Sequence, residues 1–147
     1  MAVASARSAV LEQVVFACVH NGGGSQMAAA FFNLMADPGR AAAVSAGTRP
    51  GDRVTPEVVA AMKEVGVDLS HARPRLLTGD LVHRASLLVT LGSGVEHPYV
   101  LGLRTETWVL RDPSGQPLAQ VRAIRDTVGM MVAQLVSSRG WAARRSS

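Results

Sequence analysis

The 147 residues, 48% of them hydrophobic, suffice for one domain with its own core. Fifteen basic and eleven acidic residues leave a dispersed charge of +4, with no nucleic-acid-binding motif and no interleaved aromatics; a small anion is the expected ligand, not nucleic acid. No segment approaches the about 20 apolar residues of a membrane span, and the single cysteine, Cys18, excludes an internal disulfide and a multi-cysteine metal site.

The first dozen residues contain Arg7 and Glu12 and lack an apolar signal core. A lone thiol fits a reducing compartment, so a cytoplasmic protein is expected, without a membrane partner. His71, His83 and His97 have no metal-ligand spacing, and neither a metal nor a bound cofactor is expected. Aromatic residues make up 4% of the chain, which predicts a core of Ala, Val, Leu and Met.

In chain order, Gln13 to Val19 is a short, apolar, β-branched run that predicts a buried strand. It stops at Asn21-Gly-Gly-Gly24. Ser25 then reads as the N-cap of an Ala- and Met-rich helix from Gln26 to Met35, ended by Asp37-Pro-Gly39. Ala42 to Ala46 predicts a second strand, closed by Gly47. Thr55 as N-cap and Pro56 at the first helical position open a helix to about Glu64, stopped by Gly66. A shorter helix starts at Thr78 or Asp80 and runs through Arg84. Ser86 to Leu91 predicts the third strand and Thr107 to Leu110 the fourth, before the turn Asp112-Pro-Ser-Gly115. Pro117 opens a long helix to about Ser137, with Val121, Ile124, Val128, Met131 and Leu135 on one face.

Alternating strands and helices predict an α/β fold: a single doubly wound domain over residues 1–147, with a four-stranded parallel sheet and helices on both faces. The ordered core is expected over about 13–137, with mobile ends at roughly 1–11 and 139–147. A monomer or weak dimer is expected.

The segment from Cys18 to Ser25 carries the chemistry. A loop between strand and helix turns backbone N–H groups into one concavity, with the positive end of the helix behind it, and so makes an anion site. A cysteine at the first position of that loop feels the same field, which favours the nucleophilic thiolate. Residue by residue the candidate site is Cys18 with the loop Val19, His20, Asn21, Gly22, Gly23, Gly24 and Ser25. By itself the pattern leaves open a small buried cysteine at a strand end. It matches neither a Walker loop nor a dinucleotide fingerprint. His20 adjoins the cysteine, but neighbouring residues at a strand end point to opposite sides, so packing of the loop is its expected role.

The stretch Val15-Phe-Ala-Cys-Val-His-Asn-Gly-Gly-Gly-Ser-Gln-Met-Ala-Ala-Ala-Phe-Phe32 resembles the opening of the phosphatase-related arsenate reductases, a branch of the low-molecular-weight protein tyrosine phosphatase superfamily. Ser45-Ala-Gly-Thr48, Val65-Gly-Val-Asp-Leu-Ser70, Val89-Thr-Leu-Gly92, Trp108-x-Leu-x-Asp-Pro113 and Val121-Arg-Ala-Ile-Arg-Asp126 continue the resemblance in order over about residues 13–137. It implies Cys18 as nucleophile, Asn21 as a brace of the loop, Ser25 as a hydrogen-bond partner of the thiolate and Asp112 as general acid. Arsenate or phosphate is the implied oxyanion.

Three departures stand out. The superfamily signature is cysteine, five residues, arginine, then serine or threonine, and the arginine position here is Gly24. Losing a charged fork of this kind costs about 3–5 kcal/mol, or about 100- to 10,000-fold in rate. Arg49, Arg104 and Arg111 are the arginines on other loops that could replace it. Second, Ser93 and His97 stand where thioredoxin-linked reductases carry further cysteines. With Cys18 alone an internal disulfide relay is impossible, so the implied reductant is an external thiol, mycothiol or glutathione, with a glutaredoxin-type redoxin partner. Third, Ser114-Gly115 follows Asp112-Pro113 where phosphatases carry tyrosines, which favours arsenate over phosphotyrosine. The expected function is a single-cysteine arsenate reductase. The alternatives are an impaired homologue that binds an oxyanion or partner without turnover and, third, a low-molecular-weight phosphatase.

Overall fold

The structure, a computed structural model, describes residues 11–143. Four strands, β1 (Glu12–Cys18), β2 (Ala41–Gly47), β3 (Leu87–Leu91) and β4 (Arg104–Trp108), form one sheet in the order β2-β1-β3-β4, and every pairing is parallel. The helices are α1 (Gly24–Met35), α2 (Pro56–Glu64), α3 (Gly79–Arg84) and α4 (Leu118–Ser138). The predicted α/β architecture is therefore present, with each strand and each of the four helices within a few residues of its sequence-derived span.

The two central strands are the two continuous apolar runs. Val14 to Ala17 and Leu87 to Leu91 are all buried, as strands covered on both faces require. Alternation divides them. Val14, Phe16, Leu87 and Val89 face α1, α2 and α4, while Val15, Ala17 and Leu88 face Val82 of α3 and the irregular segment containing Val95, Val100 and Leu103. Helices thus lie on both faces, three on one and one short helix on the other.

Thr78 Oγ1 accepts from the Leu81 N–H at 3.2 Å, which makes Thr78 rather than Asp80 the cap of α3. β4 begins earlier than its hydropathy indicates. Arg104-Thr-Glu-Thr107 pair with Leu87 to Thr90 as an edge strand with one face in water, and such a strand needs no apolar run. Val109 and Leu110 lie beyond the pairing, and Val109 is 91% exposed, because β3 ends at Leu91 and Gly92 (φ +80) turns the chain away.

The core also corrects the composition argument. Few aromatics are present, yet five of the six pack together: Phe16 lies 6.0 Å from Phe32 and 5.6 Å from Trp108, Phe32 lies 5.9 Å from Trp141, and Phe31 is buried beside them. Trp141 shows that the C-terminal segment is docked through residue 143 rather than mobile from 139. The Asp37 N–H donates to the Trp141 carbonyl at 2.7 Å, and the Ala143 N–H to Met35 at 3.0 Å. The mobility expected of residues 1–10 and 144–147 lies outside the described residues. On the α2–α4 side, Glu64 accepts from Arg122 at 2.7 Å and from Arg125 at 2.8 Å, and Arg125 also reaches the Ala61 carbonyl. Among the described residues no helix is long and apolar enough to cross a membrane.

Candidate active site

Parallel strands bring the C-terminal ends of β1 and β3 side by side. The chain leaves β1 toward β2 on one side and β3 toward β4 on the other, so a crevice opens between them, as at other topological switch points. Cys18 ends β1 at this crevice and is half-buried.

Asn21 reverses the chain with φ +56, a left-handed conformation that asparagine tolerates better than most side chains. Its N–H donates back to the Cys18 sulfur at 3.1 Å. The Asn21 side chain is fully buried. Its Oδ1 accepts from the Arg75 N–H at 2.9 Å, which fixes the amide so that Nδ2 donates to Ser25 Oγ at 2.8 Å. Ser25 has one hydroxyl proton, and Nδ2 already occupies a lone pair. Ser25 Oγ lies 2.9 Å from Cys18 Sγ, and toward a thiolate, which can only accept, that proton is the donor.

The rest of the loop is held from behind. The carbonyls of Cys18, Val19, His20 and Gly22 accept from the N–H groups of Thr48, Arg49, Gly51 and Thr55, and the Asn21 carbonyl accepts from Gln26 Nε2. With these carbonyls turned outward, the amides of Gly22 and Gly23 have no protein acceptor among the described residues. They are donors free for an anion.

The sulfur lies in a cavity of about 270 Å³ with three walls: the loop from Cys18 to Gly24, the end of β3 from Leu91 to Ser93, and residues 110–114 after β4. Two glycines let the loop pack closely, Gly47 at the end of β2 and Gly23 against the wall after β4. A Cβ on Gly47 would lie 2.6 Å from the Val19 carbonyl oxygen, and one on Gly23 would lie 2.4 Å from Pro113 Cγ. Pro113 thus rests directly on the loop. The preceding residue, Asp112, is exposed at the rim; its Oδ1 accepts from the Ser114 N–H at 2.9 Å. At Gly24 a Cβ would meet only Leu91 Cδ2, at an ordinary 3.5 Å, so a side chain would fit there.

The family profile of the low molecular weight phosphotyrosine protein phosphatases matches residues 13–142. The chain belongs to that family. Among relatives, a candidate arsenate reductase of Halobacterium salinarum is 35% identical over 124 residues, 82% of this chain and 87% of that one. A thioredoxin-dependent arsenate reductase of Corynebacterium glutamicum superposes with a TM-score of 0.76 at 30% identity, covering 93% of this chain and 66% of that protein. A low molecular weight protein tyrosine phosphatase of T. tengcongensis shares the fold, with a TM-score of 0.76 at 23% identity over 86% of this chain and 99% of that one.

Within this phosphatase-family fold the structure brings Cys18, the loop through Gly24 and Asp112 into one cavity and sets Ser25 behind the sulfur. Ser25 is not the helix cap. Gly23 holds that position, α1 starts at Gly24, and the serine hydroxyl serves the sulfur instead. His20 is exposed, with Nδ1 at 3.2 Å from the Arg49 carbonyl, so its ring is engaged with the scaffold. Ser93 lines the cavity, whereas His97 lies exposed in the loop before β4. Of the three arginines considered for the Gly24 position, Arg111 lines the cavity. Arg104 starts β4 at the far end of the sheet, and Arg49 contributes its backbone to the loop. Sequence reasoning missed Gln26, which ties Asn21 to the Arg73 carbonyl. Its signal was a polar residue on the buried face of an Ala- and Met-rich helix.

Proposed function

We propose that this chain is an arsenate reductase in which Cys18 attacks arsenic and an external thiol supplies the electrons. The observation that carries the proposal is the pair of donors on one sulfur, the Asn21 N–H at 3.1 Å and the Ser25 hydroxyl at 2.9 Å, beside free loop amides. Val19 to Ser25 form the anion cradle. Attack makes a bond from Cys18 sulfur to arsenic and expels one oxygen, which leaves as water after Asp112 supplies a proton. An external thiol then attacks the Cys18 sulfur. A mixed disulfide forms, the electron pair of the sulfur–arsenic bond stays on arsenic, and arsenite leaves as arsenic passes from the +5 to the +3 state. A second thiol breaks the mixed disulfide and restores Cys18. Two thiols become one disulfide, and two electrons reach arsenic.

Both thiols come from outside because Cys18 is the chain's only cysteine. Mycothiol or glutathione with a glutaredoxin-type partner fits this cycle, and the thioredoxin dependence of the Corynebacterium relative adds thioredoxin to the reductants to be compared. Arsenate is favoured over an aromatic phosphoester by the cavity. Its volume lies below the roughly 300–1,000 Å³ of sites for larger ligands, no Phe, Tyr or Trp among the described residues lines it, and Tyr99 is 82% exposed outside it.

One observation favours a second reading, an anion-binding homologue without turnover: Gly24 stands in the cavity wall where the family signature has arginine. One experiment separates the two. Purified wild type and Cys18→Ser are given arsenate with each thiol system, and arsenite is measured beside protection of Cys18 from iodoacetamide. Arsenite formation that depends on Cys18 supports the reductase. Protection without arsenite selects the second reading, and absence of both overturns the two together.

A further inference from the structure

The cavity around Cys18 has no charged residue on the anion loop, yet it is not without a cation. Among its lining residues one side chain carries a permanent positive charge, Arg111. The geometry points to Arg111 as the guanidinium that binds the oxyanion, delivered from the loop of Asp112 instead of from the start of α1. This inference rests on the anion-site reading above and adds the residue that completes it.

Three observations carry it. First, the space is free. Gly24 leaves the wall beside Leu91 without a side chain, and the nearest atom to a Cβ there is 3.5 Å away. Second, the supporting loop is fixed. Pro113 sits on Gly23, and the Gly92 N–H donates to the Trp108 carbonyl at 3.0 Å, so residues 108–113 are held against the cavity from both ends. Third, the charge is uncommitted. Among the described residues, Arg40, Arg84, Arg122, Arg125 and Arg139 pair with carboxylates, and Arg111 does not. A guanidinium with its fork of donors free, beside a nucleophile and unoccupied amides, is suited to grip two oxygens of a tetrahedral anion. His20 does not compete for this role, because its Nδ1 is engaged by the Arg49 carbonyl.

The test uses inorganic phosphate as probe and protection of Cys18 from iodoacetamide as readout, for wild type, Arg111→Gln, Gly24→Arg and the double variant, with Arg111→Lys as a second single change. Removing the charged fork is expected to weaken phosphate protection about 10- to 100-fold in Arg111→Gln. Arg111→Lys, which keeps charge and stem but not the fork, is expected to fall between the two and covers misfolding of the glutamine variant. Gly24→Arg is expected to restore protection in the Arg111→Gln background. Wild-type protection that survives unchanged in both Arg111 variants overturns the inference and leaves the anion site standing on backbone amides. Absence of protection in the wild type overturns the anion-site reading itself, and this inference with it.

Discussion

Gly23→Ala is the sharpest probe of how the cavity is assembled. The added Cβ would lie 2.4 Å from Pro113 Cγ and 3.1 Å from Cδ. Carbon atoms in contact sit about 3.5–4.0 Å apart, so the two loops must separate by about 1 Å or more. If they hold their positions, overpacking costs about 1–3 kcal/mol. For a chain of this size that lowers Tm by about 2–10 °C. If they separate, Asp112 and Arg111 move away from Cys18, and a displacement of about 1 Å is worth about 100-fold in rate. Thermal unfolding, arsenate turnover and phosphate protection of Cys18 read these effects separately. The double variant gives the control. Pro113→Ala removes Cγ and Cδ and leaves a Cβ at 3.7 Å, an ordinary contact. Gly23→Ala should therefore cost little in the Pro113→Ala background. Wild-type Tm, turnover and protection in Gly23→Ala, or an equal loss with and without Pro113, would refute the reasoning.

Ser25→Ala removes the hydroxyl directed at the sulfur and is expected to slow iodoacetamide alkylation of Cys18 at neutral pH about tenfold; an unchanged rate would show that the hydroxyl does not serve the nucleophile. Asp112→Asn keeps an oxygen for the Ser114 N–H but cannot supply a proton, so arsenate turnover is expected to fall about 100-fold or more while phosphate protection persists. Equal turnover would remove Asp112 from the proposed chemistry. Hydrogen bonding from Arg122 leads the interactions that lower Glu64 from 4.5 to about 2, with Arg125 adding to it. Because the folded value is the lower one, the unfolded chain takes up the extra proton. The stability Glu64 contributes is full above about pH 4.5 and is lost as pH falls toward 2. The Tm gap between wild type and Glu64→Gln should narrow across that window, and a constant gap would contradict it.

The sheet was legible because its two central strands are short apolar runs ended by glycine, a pattern that few other structures satisfy. The edge strand was not. Arg104 to Thr107 pair through the backbone, and their polar, mostly exposed side chains carry no apolar periodic signal. At the site, Cys18, Asn21 and Ser25 stood out because a Gly-rich turn between strand and helix concentrates chemistry in few positions. Ser25 was assigned a second role, as cap, that local sequence favours and tertiary structure overrides: the hydroxyl is 2.9 Å from a sulfur seven residues earlier. Gln26 and Pro113 act at separations that no local pattern encodes, and for the same reason Arg111 stood in the sequence only as one of three candidate arginines. The importance of the first two follows from contacts of Gln26 with Arg73 and of Gly23 with Pro113. The C-terminal tryptophan was hidden for the same reason, since its partners are Phe32 and the Asp37 N–H, which donates to its carbonyl.

The outward-facing carbonyls of the loop bear on how such a site changes over generations. Its curvature is enforced by Thr48, Arg49, Gly51, Thr55, Gln26 and Arg75, all outside the loop, and none of these bonds involves the side chain at position 24. Shape and charge are therefore inherited separately. A lineage can lose the signature arginine without collapse of the loop, persist as a folded binder, and recruit a cation from any neighbouring segment that already touches the rim. The segment bearing Arg111 does so through Pro113. In such a scaffold catalytic power can drift while the architecture stays fixed, and a one-residue reversal at position 24 remains open throughout.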